Sequence, residues 1–348
     1  MRRHSRALTL SVALTIAFVW ILRAGALPLF PPAGALAKTD GLLITLAALF
    51  LLASMLLKYV RYHFLIAPLA QLSLRRLMTI SAISMALITL LPFRLGELAR
   101  PALLREKGKV SLMAVTGTVG AERIIDGVAF GLALMLGLWF APPHEPLPSR
   151  IGNLPVPVAM VPRAAIAATS AFGVALVLMI LFAWRRAFAR SVTERVVGIV
   201  SKKLGARLAH LISNLSDGLR FLPSVRFTGP YLLITACSIA SHALAILLGA
   251  QAVGLPALTF AQSTVIVGVL ALGFALPNAP GFFGAVQLAL YAGLGLYVLP
   301  EQVVSEGAAL TFLFYVGYLG IVALLALAAL LFEYLVPDAA RNQPVAVE

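Results

Sequence analysis

Long stretches of apolar sequence with almost no charge constrain this chain more than any other feature. They occupy residues 41–57, 164–183, 231–250, 258–276 and 308–332. Each is close to the ~20 residues that cross about 30 Å of hydrocarbon as a helix. None alternates polar with apolar at the length a barrel strand needs. With 61% hydrophobic and 11% charged residues over 348 positions, one water-soluble core could not hide this surface. The expected fold class is therefore all-α, a polytopic helical membrane protein forming a single integral membrane domain over residues 1–348. Arg2, Arg3 and Arg6 precede a further apolar run at residues 7–22. Ala24-Gly25-Ala26 resembles a signal-peptidase site, but the run is long for a signal peptide and reads as an uncleaved first helix.

The formal net charge of +14 would suggest nucleic acid in a soluble protein. Here the basic residues flank apolar spans, so they set orientation, and no nucleic-acid partner is expected. The basic segments are the N-terminus, residues 58–76 (Lys58, Arg61, Arg75, Arg76) and residues 185–227. They read as cytoplasmic. The poorly charged or acidic connections 28–40, 141–163 and 299–307 read as external. This places both termini on the cytoplasmic side of a cell inner membrane. Trp20, Trp139 and Trp184 fall near helix ends, where indoles favour the headgroup layer. Residues 191–222 carry apolar positions every three or four residues among Arg195, Lys202, Lys203 and Arg207. That pattern suits a basic amphipathic helix on an anionic membrane surface, or a solvated loop that only orients the chain.

Parity of crossings makes residues 77–104 a re-entrant hairpin and residues 111–140 one long crossing helix. The stretches 258–276 and 282–298 form either a second hairpin or two full crossings, which charge does not decide. The chain then has about six crossings plus two hairpins, or eight crossings. With two hairpins, residues 7–140 and 164–335 become half-repeats of opposite orientation, the inverted plan of many secondary transporters.

Three clusters carry polar chemistry. The first contains Pro92, Arg94, Gly96, Glu97 and Arg100. Arg94, Glu97 and Arg100 share a helical face with alternating sign, while Pro92 and Gly96 loosen the helix. Exposed backbone groups and paired guanidinium groups would suit a phosphate, although snorkelling charges of an interfacial loop fit the spacing equally well. The second cluster, Glu122, Arg123 and Asp126, lies within the long crossing helix. Arg123 can pair with Asp126 at i, i+3, and Glu122 shares a face with Asp126. Intramembrane charges usually face a bundle interior and pair, so these residues would anchor Arg94 or Arg100, bind a headgroup, relay protons or lock two helices. The third cluster is the break containing Pro277, Pro280, Gly281, Gly284 and Gln287. The helix after it begins with free N–H groups that could face an anion, unless the break is a plain turn. His242 in its apolar run reads as a packed side chain. The single Cys237 excludes an intramolecular disulfide, and no Cys/His cluster, metal site, cofactor fingerprint, Walker loop or catalytic triad is legible.

Together these clusters resemble the lysylphosphatidylglycerol synthase transmembrane-region family, described as flippase-like membrane proteins. The matching elements are Pro-x-Arg-x-Gly-Glu-x-x-Arg at Pro92–Arg100, Glu-Arg-x-x-Asp at Glu122–Asp126, and Pro280-Gly281 followed by Gly284, in order across roughly residues 7–335. The family pattern has a second glycine after the proline-glycine pair and a glutamate three residues beyond the next glycine. Here Phe282 and Gln287 stand at those positions, which removes the carboxylate and points to a different lipid or a weakened activity. The resemblance implies a lipid or lipid-linked-glycan translocase, or a lipid-transport accessory, with a phospholipid, polyprenyl lipid or glycolipid as partner. A headgroup phosphate would meet Arg94, Arg100 and Arg123, while Glu97, Glu122 and Asp126 would hold them or titrate. In the synthases of this family a soluble domain performs aminoacyl transfer, and this sequence ends about a dozen residues past its last helix, so no enzyme activity is expected. A membrane-embedded partner or enzyme of lipid modification is the alternative, and a homo-oligomer is compatible with the sequence.

Overall fold

The computed structural model describes residues 13, 15–91, 96–108, 110–143, 147, 150, 153, 160–184, 216–275 and 279–336. The expectations for both termini and for residues 191–215 of the basic loop lie outside these residues, as do Pro92, Arg94 and Pro277.

Among the described residues the regular secondary structure is helical, with no strand. Its helices are α1 (Thr15–Ala24), α2 (Gly41–Ile66), α3 (Leu74–Leu90), α4 (Ala99–Gly108), α5 (Leu112–Phe140) and α6 (Val161–Trp184). The second half contains α7 (Val225–Ala252), α8 (Phe260–Ala275), α9 (Ala285–Leu294), α10 (Pro300–Val304) and α11 (Glu306–Leu335). α2, α5, α6, α7 and α11 are long and apolar enough to cross a membrane. The chain is an integral membrane protein of the polytopic helical class that its apolar runs predict.

Local chemistry sets the element ends. Asp40 Oδ1 accepts from the N–H groups of Leu42 and Leu43 at 2.8 and 3.0 Å, capping α2. Ser73 Oγ accepts from Arg76 N at 3.3 Å and starts α3. Side chains without a core partner face outward: Leu132, Leu136, Leu178, Leu324 and Leu331 are exposed, as lipid-facing residues are. Trp20, Trp139 and Trp184 are exposed as well, the last two near the ends of α5 and α6.

One expectation is corrected here. Lys58 and Arg61 do not belong to a loop. α2 continues nine residues beyond the apolar run at 41–57, through to Ile66, and carries both cations into the bundle, where Arg61 is 2% exposed. Arg76 is buried in α3 and pairs with Glu333 of α11 at 3.7 Å. Only Arg75 of that supposed basic loop keeps an outward position. A guanidinium paired inside protein has no reason to orient a loop, so Arg61 and Arg76 carry no weight in the charge count. The helix expected from residue 282 begins instead at Ala285, after a short 3-10 turn, Pro280–Phe282.

Helix packing follows a recurrent scheme. α2 lies along α7, α3 along α11, and α5 along α8. In the first pair, Ala47 meets Gly249, Phe50 O accepts from Ser241 Oγ at 2.8 Å, and Ser54 meets Ser238. Arg61 reaches Thr235, so rising numbers on α2 meet falling numbers on α7 and the two helices are antiparallel. The lengths match too: α2 and α7 have 26 and 28 residues, α3 and α8 have 17 and 16, α4 and α9 have 10 each, and α5 and α11 have 29 and 30. Glycines let these helices approach closely. A Cβ on Gly268 would press into Leu134, and one on Gly127 would overlap the Phe172 ring.

Candidate functional site

α2, α4 and α5 converge on a buried network of charge. Arg61 donates to both carboxylate oxygens of Asp126, at 2.5 and 2.6 Å, in a bidentate pair. Its terminal nitrogens also reach Glu122 Oε1 at 3.1 Å and Thr235 Oγ1 at 2.9 Å. Arg100 donates to the other oxygen of Glu122 at 2.6 Å. Both guanidinium groups lie over aromatic rings, Arg100 over Tyr62 at 4.3 Å and Arg61 over Tyr231 at 5.1 Å. Arg123 pairs with Glu97 at 3.3 Å at a more exposed edge. At 1.5 Å per residue, Glu122 and Asp126 lie roughly 15 and 21 Å from the start of α5, in the interior of a 29-residue helix.

The network has this geometry because of helical spacing. Glu122 and Asp126 are one turn apart on α5 and present their carboxylates together, which lets the single fork of Arg61 bridge them. Arg100 is positioned by the break between α3 and α4. A Cβ on Gly96 would overlap the backbone of Leu87 and Ile88, so only glycine lets the chain fold back this tightly against α3. An unpaired charge at the centre of a membrane helix costs about 2.5–3.5 kcal/mol on insertion scales, which explains why each deep carboxylate is fully engaged.

The network forms one end of a cavity of about 430 Å³. Lys58, Arg61, Glu97, Arg100, Glu122, Arg123 and Asp126 line its polar end, and His242 also borders it. Phe130 and Leu134 of α5, Phe172 of α6 and Leu272 and Phe274 of α8 line the remainder. The cavity is amphipathic: a charged floor is joined to walls that suit hydrocarbon.

Five expected site residues meet there: Glu97, Arg100, Glu122, Arg123 and Asp126. Two pairings differ from expectation. Asp126 binds Arg61 rather than Arg123, and Arg123 turns to Glu97. On an α-helix the i, i+3 pair inside α5 would have left Arg61 without its bidentate partner. The sequence reading missed Arg61, Lys58, Tyr62, Tyr231 and Thr235 as site residues. The available signal was the i, i+3 pair of cations immediately after an apolar run, set against the two buried carboxylates of α5.

The break after α8 holds Pro280, Gly281, Gly284 and Gln287, but none of these four borders the cavity. Gly281 and Gly284 have φ of +74° and +83°, a region glycine enters freely. Gln287 is buried and its Oε1 accepts from Gly284 N at 2.8 Å. It takes the backbone N–H of the N-cap residue Gly284, as the N3 side chain of a capping box does. Phe282 has φ +56°, at a cost of about 1–2 kcal/mol for a residue with a side chain. In return its ring packs edge-on against Phe274 at 5.0 Å and lines the cavity.

The fold and the site define a polytopic helical membrane protein with charges buried around an amphipathic cavity. The chain belongs to the family described as lysylphosphatidylglycerol synthase TM region, whose family model matches residues 8–323. That family places it in lipid-related membrane processes. No curated protein matches the chain.

Proposed function

We propose that this protein carries a lipid, or a lipid-linked glycan, between the leaflets of a cell inner membrane, with the polar headgroup on the Arg61–Arg100–Glu122–Asp126 floor and the acyl chains along the apolar walls. The observation that carries this reading is the junction, within one cavity, of a deep charged network and hydrocarbon-compatible walls. Arg100 supplies a guanidinium to a phosphate, and Arg123 sits at the more exposed edge where a headgroup would arrive. Both deep carboxylates are held by guanidinium groups, which makes them poor general bases and favours transport over covalent chemistry. With no Walker loop in the sequence, movement is passive or coupled to an ion gradient.

The matched helix lengths and the antiparallel α2–α7 pair support an inverted repeat. α4 and α9 each rise roughly 15 Å over their length, half the hydrocarbon thickness, which favours re-entrant hairpins over full crossings. The reading is tested in unilamellar vesicles containing fluorescent phospholipid and an impermeant quencher. Vesicles with protein should lose inner-leaflet fluorescence faster than empty ones, and Arg100→Gln should slow the loss at least tenfold if one charge-assisted contact is removed. Equal rates with and without protein would overturn the proposal.

A further inference from the structure

We infer that the cavity selects lipids whose headgroup is a phosphodiester monoanion with no ammonium group, and that Lys58 is the residue that reads this charge. The inference rests on the lipid-binding reading above and narrows it to one headgroup class.

The argument begins with oxygen atoms. Asp126 has both oxygens on Arg61, while Glu122 has one on Arg61 and the other on Arg100. All four oxygens of the deep carboxylates are therefore held by guanidinium groups. Glu97 pairs with Arg123. Lys58 borders the same cavity, one turn before Arg61 on α2, and its Nζ lies 5.7 Å from the centre of the Phe130 ring. Among the described residues no carboxylate lies within ion-pair distance of it. Among the described residues, four cations and three carboxylates line the cavity, leaving one positive charge, carried by Lys58, when His242 is counted as neutral.

An ammonium group beside aromatic and aliphatic walls is poorly solvated and gains most from an incoming anion. A single negative charge neutralises the cavity; a dianion would overshoot it. A headgroup that brings its own ammonium gains less, because every carboxylate oxygen at the floor already accepts a guanidinium bond. The shape agrees, since the apolar walls continue directly from the charged floor and can hold the chains attached to the phosphodiester.

Native mass spectrometry of the detergent-solubilised protein tests this with phosphatidylglycerol and phosphatidylethanolamine of identical chains. The wild type should retain phosphatidylglycerol about tenfold more than phosphatidylethanolamine, the effect of one charge-assisted contact. Lys58→Gln should bring the ratio near one, and Lys58→Arg should preserve it. Lys38→Gln, which removes an exposed charge, should leave the ratio unchanged. Glycerophosphoglycerol, the headgroup without chains, should not compete at equal concentration. An unaltered ratio in Lys58→Gln, no preference in the wild type, or an equal fall in Lys38→Gln would overturn the inference. Equal competition by the free headgroup would overturn its lipid half. Transbilayer movement is a separate readout, and its absence would remove the transport reading while the binding ratio still decides this one.

Discussion

Arg61 joins more of the site than any other residue, since it binds Asp126 through two bonds and also reaches Glu122 and Thr235. Arg61→Met would leave Asp126 and half of Glu122 as uncompensated buried charge, at a cost of about 3–5 kcal/mol. Arg123→Gln breaks a pair whose side chains are 35% and 25% exposed, where water takes over much of the interaction, and should cost under about 1 kcal/mol. Thermal unfolding midpoints in detergent should therefore fall steeply for the first variant and barely for the second. Similar losses would mean that the deep network is not the principal ionic tie. Arg61 was legible in the sequence only as a charge of an assumed loop, because a one-dimensional reading cannot show that α2 continues past Leu57. Glu122 and Asp126 were legible because carboxylates deep in an apolar helix need partners wherever the helix lies.

At the scale of elements, the break before α9 depends on glycine at two positive-φ positions and on one side-chain cap. The cap requires an acceptor oxygen at position 287, which glutamine and glutamate both supply. Gln287→Glu should retain stability and transport, whereas Gln287→Ala should lose about 0.5–2 kcal/mol through the uncapped N–H of Gly284. Thermal midpoints and vesicle assays on both variants check this. A large loss in Gln287→Glu would show that the amide does more than accept one bond. The sequence made the break between α8 and α9 legible at Pro280, Gly281 and Gly284, since proline and glycine act locally. It did not reveal that Gln287 points back to its own helix start, or that Phe282 turns its ring to the cavity. Those outcomes depend on Phe274 and on the turn geometry.

For the whole molecule, apolar runs located each long helix, because hydrocarbon length is a one-dimensional constraint, but they stopped nine residues short of the end of α2 and began six residues after the start of α7. The pairing of α2 with α7, α3 with α11 and α5 with α8 was not legible, since it depends on small residues and buried polar bonds scattered along each helix. An inverted arrangement predicts that the ends of the two hairpins face opposite sides. In a Cys237→Ser background, single cysteines at Gln71 and Ser111 should react with an impermeant thiol reagent from one side. Cysteines at Gly254 and Glu301 should react from the other. Labelling of all four from one side would contradict the inverted repeat while leaving the cavity intact.

The central claim is that a lipid headgroup occupies the charged end of the cavity, and photo-crosslinking tests it most directly. Phe130 lies on the apolar wall where it meets the charged end, its ring 5.7 Å from Lys58 Nζ, and Leu132, two residues along the same helix, is 49% exposed and borders no part of the cavity. Benzoylphenylalanine placed at either position is irradiated in native membranes and the adducts are weighed. The account predicts a phosphodiester-lipid adduct at position 130 that Arg100→Gln strongly reduces, with adducts at position 132 indifferent to that substitution. No lipid adduct at position 130, or one that Arg100→Gln leaves unchanged, would contradict it.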